Sequence, residues 1–476
     1  MSSSDNYQHR NKHGTFSTSR LHSFFTWFTH KENITVCAIA AIILGLHLSI
    51  ITKPSFVVPN EDIYVRAARS FLTSGGLLNS EHAPLGKLFI AAGIFTFGDN
   101  ALGWRIFSVI FGVASIFIFY VIAVHLCRKE VNKDDNITLG SPVPTKKQLF
   151  FTMTTFVPVF ATFLFAFENL SFVLANLALL DVFYVTFMLL GFLLYLRGQY
   201  WWCGFAMGLS MLCKVMAFMA ILAIVFYWAL TRRNEVTAKI RHILKTPISK
   251  NTWTIHGALW DMAKVLISVA VTWFVLLPLL EYTATHKLAN TISQTLEMLR
   301  FHLNFTSSPS LIATAPWTWV SSPTSFTYWP LSLSLVSNTW VLAINSNNPL
   351  YLAAISWNIW ALIIPSMLYI IYETIRYRAR QHNVATFVLS WFFGVYLLLI
   401  PLELATGRLM FTDYFYPAIP AVCMAISWSA WKMWLAMQKE KKRKVIFMCL
   451  FAFYLTSTVT IFFFMSPFGG RFLFGR

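Results

Sequence analysis

Long apolar stretches recur along the chain, separated by short polar or basic segments. A bilayer-crossing helix needs about 20 mainly apolar residues. That template places spans at 36–53, 102–126, 149–167, 178–196, 201–214, 215–230, 264–281, 349–371, 386–403, 414–435 and 445–465. The stretch 201–230 is too long for one crossing and is split at Lys214. The stretch 87–97 is apolar but too short, and reads as a helix lying at the membrane surface. The pattern predicts an all-α polytopic membrane protein with eleven transmembrane helices and its termini on opposite sides. Residues 36–465 form the transmembrane domain. Two large segments, 54–101 and 282–348, fall on one side, with a polar, disordered head over 1–35 and a short outer tail over 466–476.

Composition agrees with this reading. Of 476 residues, 57% are hydrophobic and 12% charged, about half the charged share of a soluble domain. An ordinary soluble enzyme, a disordered chain and a disulfide scaffold are thereby excluded. The net charge of +18 would suggest a nucleic-acid partner in a soluble protein. Here most Lys and Arg lie in segments between spans, on the side of the N-terminus, so the positive-inside rule accounts for them and no nucleic acid is expected. The rule puts the N-terminus in the cytoplasm and the C-terminus outside. The first span follows a long polar head without a small-residue cleavage site, and reads as an uncleaved anchor. The six cysteines, Cys37, Cys127, Cys203, Cys213, Cys423 and Cys449, lie in or beside apolar spans without ligand spacing. They read as small apolar residues, with no disulfide, metal or other cofactor expected.

Ionisable residues near membrane depth are costly, so their placement carries information. By this topology they gather on the outer side: Glu61, Asp62, Glu81, His82, Lys87 and Arg105 from the first outer segment, then Glu168, Asn176 and Asp181, then Lys214, then Glu403, Arg408 and Asp413. Cations and carboxylates converging beside a bilayer suit a sugar carried on a lipid phosphate. Lys and Arg hold the anionic leaving group, and a carboxylate takes the proton from an acceptor hydroxyl. Plainer roles are open to each residue. Asp181 can cap a helix, Lys214 can snorkel, Arg105 and Arg408 can pair with acids, and Glu61 and Asp62 can be solvated loop charges.

At these same positions the sequence resembles the protein O-mannosyltransferase family, membrane glycosyltransferases of the GT-C class. The matching stretches are NEDIYVRAARS (Asn60–Ser70), EHAPLGKLFIAAGIFTFGDNALGWRIFSVIFG (Glu81–Gly112), ENLSFVLANLALLD ending at Asp181, GLSMLCK ending at Lys214, MLRFH (Met298–His302), PWTW (Pro316–Trp319) and GRLMFTDYFYPAIP (Gly407–Pro420). They occur in family order. The resemblance implies an inverting transfer of a sugar, usually mannose, from a polyprenyl or dolichyl monophosphate to a hydroxyl acceptor. That acceptor is usually Ser or Thr of a translocated protein, on the extracytoplasmic face. Eukaryotic members carry an extra β-rich domain in the large outer segment; 282–348 is too short for one, which resembles a prokaryotic member.

Two positions depart from the family. Its first loop carries an Asp-Glu pair with the Asp as base; here Asn60 occupies the Asp position and Glu61 the Glu position. An amide cannot serve as a base. Asn176 stands where the family has an Arg, five residues before Asp181. On this reading Glu61 or Asp62 is the base, with Glu81 assisting, and Lys87, Arg105, Lys214 and Arg408 hold the donor phosphate. Asn60, His82, Asn176, Asp181 and Asp413 line the substrate site, and Trp317, Trp319 and Trp329 form either an acceptor groove or part of an interfacial aromatic belt. The alternative is a degenerate member that binds lipid, or serves as a structural partner of another membrane protein, without catalysis. A transporter fits less well, because no inverted repeat is visible.

Overall fold

The computed structural model describes residues 31–58, 60–73, 76, 78–134, 146–245, 257–285, 290–306, 313–321, 325–329, 332–336, 339–343, 351–376, 383–438 and 440–468. Most of the head over 1–35 and of the tail over 466–476 lies outside them. The first helices in chain order are α1 (Lys31–Ile50), α2 (Glu61–Leu72), α3 (Leu85–Phe97), α4 (Ala101–Asp134), α5 (Lys146–Ala166), α6 (Asn169–Asn176), α7 (Asp181–Leu196) and α8 (Tyr200–Cys213). Then come α9 (Phe218–Lys245), α10 (Ala258–Thr285), α11 (Thr291–Asn304), the single turn α12 (Thr318–Ser321) and α13 (Trp357–Arg376). The last are α14 (Asn383–Phe392), α15 (Leu399–Thr406), α16 (Ile419–Met437) and α17 (Lys441–Met465).

This is a multi-pass helical membrane protein. Seven of the described helical stretches are long and apolar enough to cross a bilayer, or eight if the bent pair Met153–Ala166 and Asn169–Asn176 counts as one crossing. The expected spans at 178–196 and 201–214 are helices α7 and α8, but at 16 and 14 residues they are short for a crossing. Length therefore does not establish eleven spans. The stretch 87–97 does fold as the short apolar helix α3, with Phe95 82% exposed.

Two boundaries differ from expectation. The predicted span 349–371 begins instead as strand β4 (Tyr351–Ala354), and the helix starts only at Trp357. β4 pairs antiparallel with β1 (Ser325–Trp329), and β2 (Ser332–Val336) pairs with β3 (Thr339–Ala343). The stretch 325–354 thus carries two small ribbons that the all-helical reading did not foresee. A short apolar run looks alike as strand or helix when only its periodicity is read. The predicted span 414–435 opens with a 3₁₀ turn over Thr412–Ala418, whose Pro417 delays the α-helix to Ile419.

Helix α8 packs closely on α10 and on α7. A Cβ on Gly204 would lie 2.4 Å from the Val265 carbonyl oxygen, and one on Gly208 would lie 2.5 Å from Thr272 Cβ. This four-residue spacing of glycines lets two backbones approach where lipid supplies no hydrophobic drive. The approach fixes where the C-terminus of α8, and hence Lys214, can lie.

Candidate functional site

Arg105 of α4 and Glu61 at the start of α2 form a bidentate ion pair, both contacts at 2.8 Å. Neither side chain is exposed. The guanidinium also donates to the carbonyls of Ile51, Pro54 and Phe56, so all five of its N–H groups are engaged. Glu61 accepts further bonds from the amides of Val58 and Ala178. Its two oxygens thus take four donors between them. The pair locks the first outer segment onto the bundle. Arg105 has no N–H left for a phosphate, and Glu61 has no free lone pair for a proton.

Lys87 is equally occupied. Its ammonium donates to the carbonyls of Asn79 and His82 at 2.7 Å and of Leu78 at 3.3 Å, which uses its three N–H groups and shapes the 78–82 loop. Asn176 donates to the Tyr351 hydroxyl at 2.8 Å and accepts from His47 Nδ1 at 3.0 Å. Tyr351 in turn donates to the Lys53 carbonyl. Asn176 therefore ties α6 to α1 and β4. Asp62 pairs with Arg66 at 2.8 Å, both well exposed. Helix periodicity of about 100° per residue turns Asp62 roughly 160° away from Tyr64, and Tyr64 is the residue of α2 that meets the His82 ring, at 5.9 Å. Asn60 is exposed, with φ of 68° and no side-chain cap bond.

The other sequence candidates come together. Lys214, between α8 and α9, pairs with Asp181 of α7 at 2.8 Å, both nearly fully buried. Its ammonium lies 4.8 Å from the ring centroid of Tyr414 and 5.8 Å from that of Tyr184. The Arg408 guanidinium also sits over Tyr414, at 5.7 Å, and donates to its hydroxyl at 3.0 Å. Arg408 donates as well to the carbonyl of His302 in α11. His302 donates to the Glu81 carbonyl at 3.2 Å, and its ring lies 5.1 Å from that of His82. Asp413, next to Tyr414, completes the group.

This cluster is under-bonded. His82 Nδ1, His302 Nδ1, Arg408 Nε and Asp413 Oδ1 are buried without a hydrogen-bond partner. Buried polar atoms are ordinarily satisfied, and each of these four is a place where a ligand or solvent can bond. Burial pushes the Asp413 carboxyl up to about 7 against the pull of Lys214. Burial first, then Arg408 and Lys214, pushes the His302 imidazole down to about 3. His82 is lowered by burial and by its histidine neighbour. Beside the cluster a narrow apolar crevice is lined by Tyr184, Met188, Met216, Met219, Leu399 and Tyr414. Among the described residues no group of His, Cys, Asp and Glu has the geometry to hold a metal.

The structure thus divides the predicted set. Asp181, Lys214, Arg408, Asp413, His82 and the Glu81 backbone converge. Glu61, Arg105, Lys87 and Asn176 form buried ties around them, and Asp62 faces elsewhere. Of the predicted acceptor groove, Trp319 is fully buried and donates to Thr314 Oγ1 at 2.8 Å, whereas Trp317 is 43% exposed. The Trp329 side chain lies outside the described residues. Tyr64, Tyr184, His302 and Tyr414 were not singled out as site residues. Their only signal was adjacency: Tyr414 follows Asp413, and His302 closes the MLRFH motif.

No family model matches the chain. A polyprenol-phosphate-mannose–protein mannosyltransferase of Mycolicibacterium smegmatis is 29% identical over 163 residues. That match spans 33% of this chain and 27% of the relative, about a quarter of its length. The protein O-mannosyltransferase Pmt1–Pmt2 complex of S. cerevisiae, bound to the sugar donor, superposes with a TM-score of 0.66 at 11% identity, covering 95% of this chain and 92% of that one. ArnT from Cupriavidus metallidurans bound to undecaprenyl phosphate superposes with a TM-score of 0.53 at 14% identity, over 93% and 77%. Over a third of its length the chain is similar to a protein mannosyltransferase, and over nearly all of it the chain shares the fold of the S. cerevisiae and C. metallidurans proteins.

Proposed function

We propose that the chain moves a sugar, mannose in the first instance, from a polyprenyl or dolichyl monophosphate to a hydroxyl acceptor, with Ser or Thr of a protein as the leading acceptor. The observation that carries this reading is Arg408. It is 2% exposed, its Nε is unbonded, and among the described residues no carboxylate lies within ion-pair distance. A buried guanidinium met only by a carbonyl, a hydroxyl and a ring face is a receptor for an anion. Lys214, its charge already shared with Asp181, lies against the same tyrosine and adds long-range attraction.

In this reading the sugar–phosphate C–O bond breaks as the acceptor oxygen bonds to the anomeric carbon. The phosphate leaves with its charge on Arg408, and the acceptor proton passes to a carboxylate. Of the sequence candidates for the base, Glu61 is saturated and Asp62 is turned away, which leaves Glu81, and we assign it that role. Its backbone already meets His302, and its carboxylate is held by Asn79 Nδ2. On the positive-inside rule we take the site end of the bundle to be extracytoplasmic. A second membrane protein is an expected partner, by analogy with the two-chain yeast complex.

A second reading has one specific observation behind it. The position where the family carries its base holds the exposed amide of Asn60. A chain that binds the lipid phosphate without turning it over fits that fact. The deciding experiment is transfer of labelled mannose from polyprenyl-phosphate mannose to a Ser/Thr-rich peptide by the purified protein, alongside donor binding. Transfer that is lost in Glu81→Gln supports the first reading. Binding without transfer supports the second, and absence of both overturns the lipid-phosphate assignment.

A further inference from the structure

Helix α17 stands off the bundle. Of its 25 residues only Phe447, Thr458, Phe462 and Met465 are buried, so its first four turns bury a single side chain. Between these turns and helices α13 and α16 runs an apolar groove with about 660 Å³ of space, lined by Leu362, Tyr369, Ile426, Met433, Leu450 and Tyr454 among others. The groove is far from the donor cluster. Asp413 and Tyr414 lie just before α16, and the 19 residues of α16 carry the chain about 28 Å to the opposite end of the bundle.

The charge at that opposite end is one-sided. Lys441, Lys442, Arg443 and Lys444 follow one another at the start of α17, all exposed. Among the described residues only Arg443 is drawn to an acid there, Glu440 at 3.0 Å. Lys444 rests over Trp434 at 5.7 Å, which leaves its ammonium at the groove's rim. The one cation inside the groove, Lys432, is taken by Glu373 at 3.3 Å. The groove wall is therefore neutral and apolar, while its mouth carries unneutralised positive charge.

We infer that this groove holds an anionic glycerophospholipid, with its acyl chains between α13, α16 and α17 and its phosphate at the Lys441–Lys444 turn. An apolar slot at membrane depth takes hydrocarbon, and a juxtamembrane run of Lys and Arg favours a negative headgroup over a zwitterionic one. A bound lipid of this kind fills the gap that α17 leaves and fastens the helix to the bundle. The site is independent of the donor cluster, both in place and in the residues it uses.

The test uses the full chain purified from membranes in mild detergent. Retained lipid is quantified by mass spectrometry after exchange with equimolar phosphatidylglycerol and phosphatidylcholine. Phosphatidylglycerol is expected to be retained in preference on the order of tenfold. Replacing Lys441, Lys442, Arg443 and Lys444 by Gln should abolish the preference, and Ala430→Trp, which fills the groove, should cut total retained lipid. Polyprenyl-phosphate binding, read in parallel, should be unchanged in both variants, which separates loss of this site from misfolding. Equal retention of the two lipids, retention undiminished by Ala430→Trp, or displacement of phosphatidylglycerol by polyprenyl phosphate would each overturn the inference. So would cross-linking that finds a protein helix seated in the groove.

Discussion

Asn60 and Glu61 are chain neighbours with opposite surroundings: Glu61 is completely buried, while Asn60 is exposed at the mouth of α2. The carboxylate that the sequence retains is thus the structural one, and the exposed position before it carries an amide. Installing the missing acid is a direct probe. Asn60→Asp adds a carboxylate at the N-terminal end of α2, where the helix dipole favours it. Donor-dependent mannose transfer should rise well above the parent level, with little change in unfolding temperature. A rate unchanged by Asn60→Asp would argue that Glu81 acts alone or that the chain does no chemistry.

Glu61→Gln tests the structural role of its partner. Removing one member of a buried ion pair leaves the other charge uncompensated, at a cost of about 3–5 kcal/mol. The variant should unfold at lower temperature in detergent, and protease should reach the 54–61 segment sooner. The double variant Glu61→Gln with Arg105→Gln should lose less than the two single losses added together, because each single change strands a charge. Normal stability in Glu61→Gln with transfer abolished would instead return Glu61 to the role of base.

Arg408 and Lys214 should behave differently. Arg408→Ala removes a buried cation with no carboxylate to strand, so the fold should hold while affinity for polyprenyl phosphate falls by about tenfold or more. Arg408→Lys should recover only part of the loss, since an ammonium cannot present the guanidinium's paired donors. Lys214→Met strands Asp181 in an apolar setting, and should lower stability as well as donor binding. Binding titrations and unfolding curves on the same preparations distinguish the two cases.

The cluster also sets a pH dependence. The His302 imidazole is lowered to about 3, so between about pH 3 and 6.5 the unfolded chain binds its proton and the folded chain does not. Stability from this group therefore rises with pH through that window. Asp413 runs the other way. Its carboxyl is raised to about 7 from 3.8, so the folded chain holds the proton longer, and this contribution is lost as pH rises from about 4 to 7. The two oppose each other. Asp413→Asn should steepen the rise in unfolding temperature between pH 4 and 7, and His302→Gln should flatten it. Unfolding curves across that range check both signs.

Much of the architecture was legible because membrane spans announce themselves by composition. The apolar stretches at 102–126, 264–281 and 445–465 fold as long helices near the expected bounds. The start of 349–371 was misread because the run Tyr351–Ile355 is apolar in either conformation, and only its strand partner, Ser325–Trp329, decides between them. The convergence of Asp181, Lys214 and Arg408 followed from topology alone. That Arg105 can pair with an acid was also legible; that the acid is Glu61 was not, because a partner 44 residues away leaves no periodic trace. Nor could composition tell that Lys87 would spend its three N–H groups on loop carbonyls.

A last prediction concerns the packing that supports Lys214. Gly204 and Gly208 lie on one face of α8, one helical turn apart, against Val265, Ser268 and Thr272 of α10. At both positions an added Cβ would come within 2.5 Å of its neighbour, and at Gly204 that includes backbone oxygen. Van der Waals contact between backbones is what holds such helices together in lipid, so even one methyl must push α8 outward. Gly208→Ala meets Thr272 Cβ, which the backbone fixes, and Gly204→Ala meets the Val265 carbonyl. Both should be damaging. Because α8 ends at Lys214, the displacement should also loosen the Lys214–Asp181 contact. Gly204→Ala is expected to lower both unfolding temperature and donor affinity, and Gly204→Val to do so more severely. Gly198→Ala is a poor control, since φ there is 75° and a side chain would be strained for a separate reason. Gly45→Ala in α1, with nothing within 4 Å, is the proper comparison and should leave both measurements unchanged.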